Sequence, residues 1–375
     1  MFYLVSGLYN PNTAPTNRIM AYVKALSELG LDTEVVFFFP DNRYEKASHR
    51  YPHISFTYLW EQFFIDIPKI RVLFIRHNIT RFIQQLKKGD IVYVYGFPDL
   101  VKALSPIKDI RVFSEITEHP QASFVNFINH TTIAEYIECI KTIEGVVVIS
   151  NALKQYLIEQ GCDPERVHVI NMTVDKMRFE NVQKNKVEPY VAYCGTATNT
   201  KDGVDQLIKA FAIVVKSYPD YKLYIIGSTP SKKQRFGNLE LAKELGIENN
   251  VVFTGVVPAQ EMPQILKNAE ILALDRPDNL QAKYGFPTKL GEYLLTGNPV
   301  VVTRVGDIPL FLEHGKSALI AEPENPQDFA EKICWAIKNS EESRLIGARG
   351  KQVAESSFDS MIETKKLVSI LNRKT

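Results

Sequence analysis

The feature that most constrains this chain is an alternation of short apolar runs with stretches of helical period, repeated in two sets along its length. Residues 2–5 read as a strand, and a loop over 6–16 carries Gly7, Pro11 and Pro15. Thr16 or Asn17 can cap a helix in which Ile19, Val23, Leu26 and Leu29 recur before Gly30, and 34–39 is the next strand. Strand, crossover helix and strand in that order imply a parallel sheet. The pattern continues with strands at 91–95, 111–114, 145–149 and 167–170 and a helix at 133–140. Residues 172–189 mix Lys, Asn, Glu and Val with little periodicity and read as a linker. A second set follows, with strands at 190–193, 222–226, 251–254, 271–274 and 318–321 and helices at 204–216, 260–268 and 326–339. Two further helices, about 341–354 and 360–371, end the chain. The expected fold is α/β, two doubly wound Rossmann-like domains facing a cleft. Two stretches fit less well: 41–56 has no clear period, and 58–86 looks mostly helical and broken by Pro68.

The length of 375 residues suits two such domains. A formal net charge of +1 gives no reason to expect nucleic acid as a partner. The first residues lack a basic region and a long apolar core, so they read as a strand and not as a signal peptide. No run approaches the ~18–20 apolar residues of a membrane span. Cys139, Cys162, Cys194 and Cys334 are widely spaced, with neither metal nor redox pattern, and suit buried free thiols of a cytoplasmic protein.

Chemistry is expected at 284–303, a glycine turn, a short helix and a buried strand. Pro287 suits the first helical position, Leu290, Leu294 and Leu295 form an apolar face, and Gly297 with Pro299 stops the helix. Lys289 then stands in the first turn, against the positive end of the helix dipole, which costs roughly 0.3–1 kcal/mol unless an anion is present. Gly285, Phe286, Pro287 and Thr288 open the helix, so its free amides, Thr288 and Lys289 can converge on a phosphate. Glu292 falls on the same face and can accept from both hydroxyls of a ribose. The plainer alternative is a solvated Lys289 paired with Glu292.

A second basic element runs from a strand through Gly195 and Thr196 to Lys201 and on into a helix. Two lysines near two helix starts in one α/β domain point to a diphosphate. The Gly7 loop also lies at a strand's carboxyl end, where open α/β sheets place ligands.

These elements, together with Val147-Val-Ile-Ser-Asn-Ala-Leu-Lys, Val167-His-Val-Ile-Asn-Met-Thr-Val-Asp and Val251-Val-Phe-Thr-Gly-Val-Val, give a chain that resembles the retaining, nucleotide-sugar-dependent glycosyltransferases of family 4 (group 1). The resemblance covers nearly the whole chain. It implies the GT-B fold, with an acceptor-binding domain over 1–180, a nucleotide-sugar-binding domain over 181–355, and a terminal helix over 356–375 that packs back on the first domain. It also implies that Lys201 contacts the donor diphosphate, that Glu292 holds the ribose, and that the turn 285–288 offers amides to the phosphates. His119, ending a strand of the first domain, would face the donor sugar. Two departures stand out: Tyr284 replaces a glutamate usual eight residues before Glu292, and Thr196 replaces an arginine, whose charge Lys289 or Arg276 would supply.

Such a transfer makes the sugar oxocarbenium-like as the diphosphate leaves. Fixed cations and helix N-termini can stabilise that charge. No Asp-x-Asp triplet occurs, so no metal and no cofactor are expected beyond the donor, a UDP- or GDP-sugar. The acceptor implied is a glycan or a lipid-linked molecule. Trp60, Phe63, Phe64, Leu73 and Phe74 interleave with Lys69, Arg71, Arg76 and Arg81, a mixture suited to an anionic bilayer or to an amphipathic helical pair packed on the sheet. The expected location is therefore cytoplasmic, with peripheral association at the inner face of the plasma membrane. Glu115 and Glu118 raise a paired-carboxylate hydrolase as an alternative. A Gly-x-Gly-x-x-Gly dinucleotide turn and a nucleophile elbow are both absent. A sugar-nucleotide epimerase and a non-catalytic nucleotide-sugar-binding subunit fit the same residues.

Overall fold

A computed structural model describes residues 1–11, 13–40, 46, 50–59, 68–123 and 131–373. The chain forms two compact units. One comprises Met1–Thr173 with Ser360–Thr375, and the other Val174–Asp359.

The first unit is built on a parallel sheet of β1 (Phe2–Tyr9), β2 (Thr33–Pro40), β3 (Ile54–Tyr58), β4 (Ile91–Tyr95), β5 (Arg111–Ile116), β6 (Gly145–Val148) and β7 (Val167–Val169). Their order is β3-β2-β1-β4-β5-β6-β7. The reversal of strand order between β1 and β4 is the switch point at which doubly wound sheets place ligands. Strands β1, β2, β4 and β6 are covered on both faces, which is why they are nearly continuous apolar runs. On one face Leu4, Val35, Phe37 and Tyr93 pack under Ile19, Tyr22, Val23 and Leu26 of helix Ala14–Glu28. Leu367, Ile370 and Leu371 of the last helix, Ser360–Asn372, join the same cluster. Each such fully buried side chain is worth roughly 1.5–3 kcal/mol, so the returning helix is an integral part of this core.

Several local expectations are corrected here. The first helix starts at Ala14 with Thr13 at the cap, because Pro15 sits comfortably in a first turn. Strand β1 runs on to Tyr9, so Gly7 is a buried strand residue and not part of a loop. A Cβ on Gly7 would touch the Phe97 ring at 3.7 Å. Tyr58 ends a strand, and Pro68 begins the helix Pro68–Gln85 instead of breaking one. Trp60, Phe63 and Phe64 lie outside the described residues. No described helix is long and apolar enough to cross a membrane.

The second unit repeats the plan. Its strands are β8 (Tyr190–Cys194), β9 (Lys222–Ile226), β10 (Val251–Gly255), β11 (Ile271–Leu274), β12 (Val300–Thr303) and β13 (Leu319–Ala321), in the order β10-β9-β8-β11-β12-β13. The switch point falls between β8 and β11. Helix Val204–Ser217 buries Leu207, Ile208, Phe211 and Val214. Helix Pro326–Lys338 buries Phe329, Ala330 and Ile333. The architecture is two Rossmann-like α/β units.

Candidate functional site

The carboxyl ends of β8 and β11 bring together most of the residues singled out in the second half of the sequence. Just past β8 the chain turns at Gly195, whose φ is +149°. That φ favours glycine, and a Cβ there would lie 2.4 Å from Lys289 Nζ, so a side chain would also push the lysine aside. Lys201 lies in the single-turn helix Asn199–Asp202, which ends at Gly203 in the left-handed region (φ +59°). A Cβ on Gly203 would be 2.0 Å from the Asp275 carbonyl oxygen, which locks the β8 loop against the end of β11.

Lys289 has the anion that its position against the helix dipole calls for, and the protein supplies it. Its Nζ donates to Asp202 Oδ2 at 2.5 Å and to the Tyr193 hydroxyl at 3.1 Å. That hydroxyl donates to the same carboxylate oxygen at 2.6 Å. Arg276, 2% exposed, lies beneath the loop with its Nε 4.0 Å from Asp202 Oδ1 and 3.4 Å from the Lys201 carbonyl oxygen. Burial alone would raise the Asp202 carboxyl, but Lys289, the two hydrogen bonds and Arg276 hold it below the usual range. Burial lowers Lys289, with Asp202 opposing the shift. The plainer expectation, a solvated Lys289 paired with Glu292, is replaced by this ion pair.

Helix Thr288–Leu295 starts one residue later than expected, since Pro287, read as its first helical residue, is the extended N-cap. Gly285, Phe286 and Pro287 are buried, and Thr288 is half-buried. The Phe286 ring packs on Phe311 and Phe358, at centroid distances of 5.5 and 5.4 Å. Its side chain therefore belongs to the core, leaving the backbone of the turn as its contribution to a ligand. Tyr293 ties the helix to β8, accepting from the Cys194 amide at 2.6 Å. Glu292, half-buried on the same helix, is paired with Arg178 of the turn Lys176–Phe179. Tyr284 ends the short helix Leu280–Tyr284, half-buried, with Lys283 Nζ 5.3 Å above its ring. Thr196 is exposed, and its carbonyl oxygen lies 2.8 Å from the Tyr193 hydroxyl oxygen. The Cys194 thiol is pushed up to about 12 by burial and the Glu292 charge, so it is a neutral packing group. Among the described residues no group of three or more His, Cys, Asp or Glu is placed to hold a metal ion.

In the first unit His119 follows β5 and is 4% exposed. Its Nδ1 accepts from the Gln121 amide at 3.2 Å, and its ring lies against Tyr156 at 4.3 Å. Burial lowers its pKa, so the imidazole is neutral at pH 7 and its Nε2 carries the proton. Glu115 is excluded from paired-carboxylate chemistry. It is 1% exposed, ion-paired with buried Arg18, and accepts from Tyr93 at 2.7 Å and Tyr22 at 3.3 Å.

Asp202, Tyr193 and Arg178 were not anticipated. A lysine against a helix dipole did signal a missing anion, and Asp202 stands immediately after Lys201. Nothing local marked Arg178.

The family described as "Glycosyl transferases group 1" matches residues 188–339, the stretch that carries Gly195, Lys201, Asp202, Lys289 and Glu292. Among curated proteins, D-inositol 3-phosphate glycosyltransferase of Corynebacterium urealyticum is 26% identical over 215 residues, 52% of this chain and 49% of its own length. The N-acetyl-alpha-D-glucosaminyl L-malate synthase of Bacillus anthracis is 25% identical over 241 residues, 64% of this chain and 57% of that one. The chain thus spans about half the length of these relatives. Among solved structures, Anabaena HepE in complex with UDP matches with a TM-score of 0.75 at 17% identity, covering 99% of both chains.

Proposed function

We propose, on the premise that this chain belongs to the group 1 glycosyl transferases and has the GT-B fold, that it moves a sugar with retention from a nucleotide-diphosphate sugar to a glycan or lipid-linked acceptor. The setting proposed is surface polysaccharide or glycoconjugate biosynthesis. One observation carries this reading: the Gly195 loop, Lys201, the Lys289–Asp202 ion pair and the opening of helix Thr288–Leu295 all meet at the switch point of the second sheet. Backbone amides at a helix start and ammonium groups on rigid elements stabilise charge that grows on a leaving diphosphate.

In this scheme Lys201 and the amides of turn 285–288 take the phosphates. Lys289 contributes from below, sharing its charge with Asp202. Glu292 accepts from the ribose hydroxyls. His119 is the proposed donor-sugar contact of the first unit, acting as a neutral hydrogen-bond donor. No metal is required in this scheme, so activity in EDTA should be undiminished.

The solved HepE chains in complex with UDP and with UDP-glucose make uridine nucleotides the first donors to try. A thermal-shift panel of UDP-, GDP- and ADP-sugars should single out one base, since a ligand at 100 times its dissociation constant stabilises by ~2.7 kcal/mol. With that donor, Lys201→Ala should cost roughly 2–4 kcal/mol in kcat/KM. Near-normal turnover would remove Lys201 from the site. Conversion of the donor without any acceptor would identify an epimerase, and tight nucleotide binding without turnover a non-catalytic subunit.

The lipid-linked acceptor has support in helix Pro68–Gln85, where Leu73 is 66% and Phe74 39% exposed beside exposed Arg76 and Arg81. Such a face suits an anionic bilayer. Vesicle co-sedimentation unaffected by Arg76→Glu with Arg81→Glu would leave that acceptor class without this support.

A further inference from the structure

Glu292 is the residue on which ribose recognition depends in this reading, and the structure gives it a partner. Arg178 donates from Nη1 to Glu292 Oε1 and from Nη2 to the Ala259 carbonyl oxygen at 3.3 Å. The turn that carries Arg178 is fixed on several sides. Asp175 caps it by accepting from the Met177 amide at 3.1 Å, and Phe179 is 6% exposed. Lys176 is tied to Asp359 at 3.0 Å. A guanidinium held this way fixes the plane and direction of the carboxylate it grips, because its donors form a rigid fork. It also links three segments that are remote in sequence: the turn Lys176–Phe179, the stretch after β10, and helix Thr288–Leu295. Among the described residues, Glu292 Oε2 accepts no hydrogen bond, so one oxygen is held and the other is left for a ligand.

We propose that Arg178 is the positioning residue for Glu292, orienting its carboxylate so that the free oxygen meets the ribose diol of the donor nucleotide. The proposal rests on the reading of Glu292 as the ribose acceptor. Glutamate on a helix has several rotamers of similar energy, and most would carry Oε2 away from a sugar placed at the helix start. Holding one rotamer removes that cost from binding, so Arg178 raises affinity for the diol without touching it. An arginine that merely packed would affect every nucleotide alike. One that works through Glu292 affects only nucleotides that carry the hydroxyls.

The test is calorimetric titration of the full chain with UDP and with 2′,3′-dideoxy-UDP, or with the corresponding guanosine pair if the panel selects guanosine. Wild type should prefer the ribonucleotide by about tenfold or more, as expected for hydrogen bonds to a charged acceptor. Arg178→Ala should remove most of that preference by weakening UDP alone, and Arg178→Lys should restore part of it. In a Glu292→Gln background, Arg178→Ala should change the ratio no further, which is the coupling expected when one residue acts through the other. If Glu292→Gln abolishes the preference and Arg178→Ala leaves it intact, the positioning role is wrong while the ribose reading stands. If Glu292→Gln leaves the preference intact, the ribose reading itself fails and the proposal falls with it. Tighter UDP binding in Arg178→Ala would show that Arg178 competes with the ribose, which also overturns the proposal.

Discussion

Each unit buries a cluster of opposite charges laced with tyrosine hydroxyls, and the two clusters differ in how completely they are closed. In the first unit Arg18 is 3% and Glu115 1% exposed. The guanidinium spends its remaining donors on the carbonyl oxygens of Ile170, at 2.9 Å, and Asn171, at 2.7 Å. Burial alone would lower Arg18, and Glu115 with three tyrosines outweighs it. Every group there is satisfied by the fold. In the second unit Asp202 and Arg276 are each 2% exposed, but the Lys289 side chain keeps 18% of its surface. Asp275, beside Arg276, leaves Oδ2 buried without a partner. A saturated cluster can only brace its fold, whereas an open one still has interactions to give. The same chemistry thus reads as architecture in one half and as a site in the other.

The sharpest way to break this contrast is to remove one cation from each cluster. Arg18→Ala should destabilise by about 3–5 kcal/mol, because it strands a buried carboxylate with no access to water. Pairing it with Glu115→Leu should recover much of the loss. Lys289→Ala should cost distinctly less, since Asp202 keeps Tyr193 and Arg276 and the vacated space opens toward solvent. Urea denaturation midpoints of the full chain measure both. Equal losses would mean that the second cluster is as structural as the first.

Asp275 sharpens the contrast through pH. Its carboxyl is raised from 3.8 to about 7, by burial first and by the charge of Asp205 second. The folded state therefore binds this proton more tightly than the unfolded chain does. The stability it contributes is complete below pH 4 and is lost as pH rises toward 7. Asp275→Asn should remove that dependence and stabilise the protein at pH 8 relative to wild type, by roughly 2–4 kcal/mol, with a smaller gain at pH 5. Denaturation midpoints at the two pH values supply the check. A variant that gains equally at both would show that the carboxyl is not the unsatisfied group.

What could be read from the sequence follows from how locally each feature is encoded. Strand β4, helix Ile133–Ile140 and the helix opened by Thr288 carry their periodicity within a few residues, so they were legible. Strand β3 was not: Ser55 and Thr57 alternate with aromatics on an edge strand paired only with β2, which leaves no apolar run. Pro68 was misjudged because the same ring that breaks a helix interior suits a first turn. At the site, Gly195, Lys201, Lys289 and Glu292 stood out for their place beside strand ends and helix starts. Their partners could not, because the contacts Lys289–Asp202, Arg178–Glu292 and Arg18–Glu115 span 87, 114 and 97 residues. Only the fold brings those pairs together.

Tyr284, proposed from the sequence as a donor-sugar contact, offers the smallest and most specific test. A glutamate at its position would present two charged oxygens to donor-sugar hydroxyls, whereas the phenol presents one neutral oxygen. The ring has a structural task of its own, since it ends helix Leu280–Tyr284 and carries the Lys283 ammonium 5.3 Å above it. Tyr284→Phe keeps the ring and that cation–π contact and removes only the hydroxyl. If the hydroxyl reads the sugar, this variant should lower kcat/KM by about 1–2 kcal/mol while affinity for the free nucleotide stays constant. If the ring only packs, Tyr284→Phe should be silent in both assays and Tyr284→Ala should lower the Tm. Assaying both variants against intact donor and free nucleotide separates these outcomes. A Tyr284→Glu variant that turns over the same donor faster than wild type would show that the tyrosine is not adapted to that sugar.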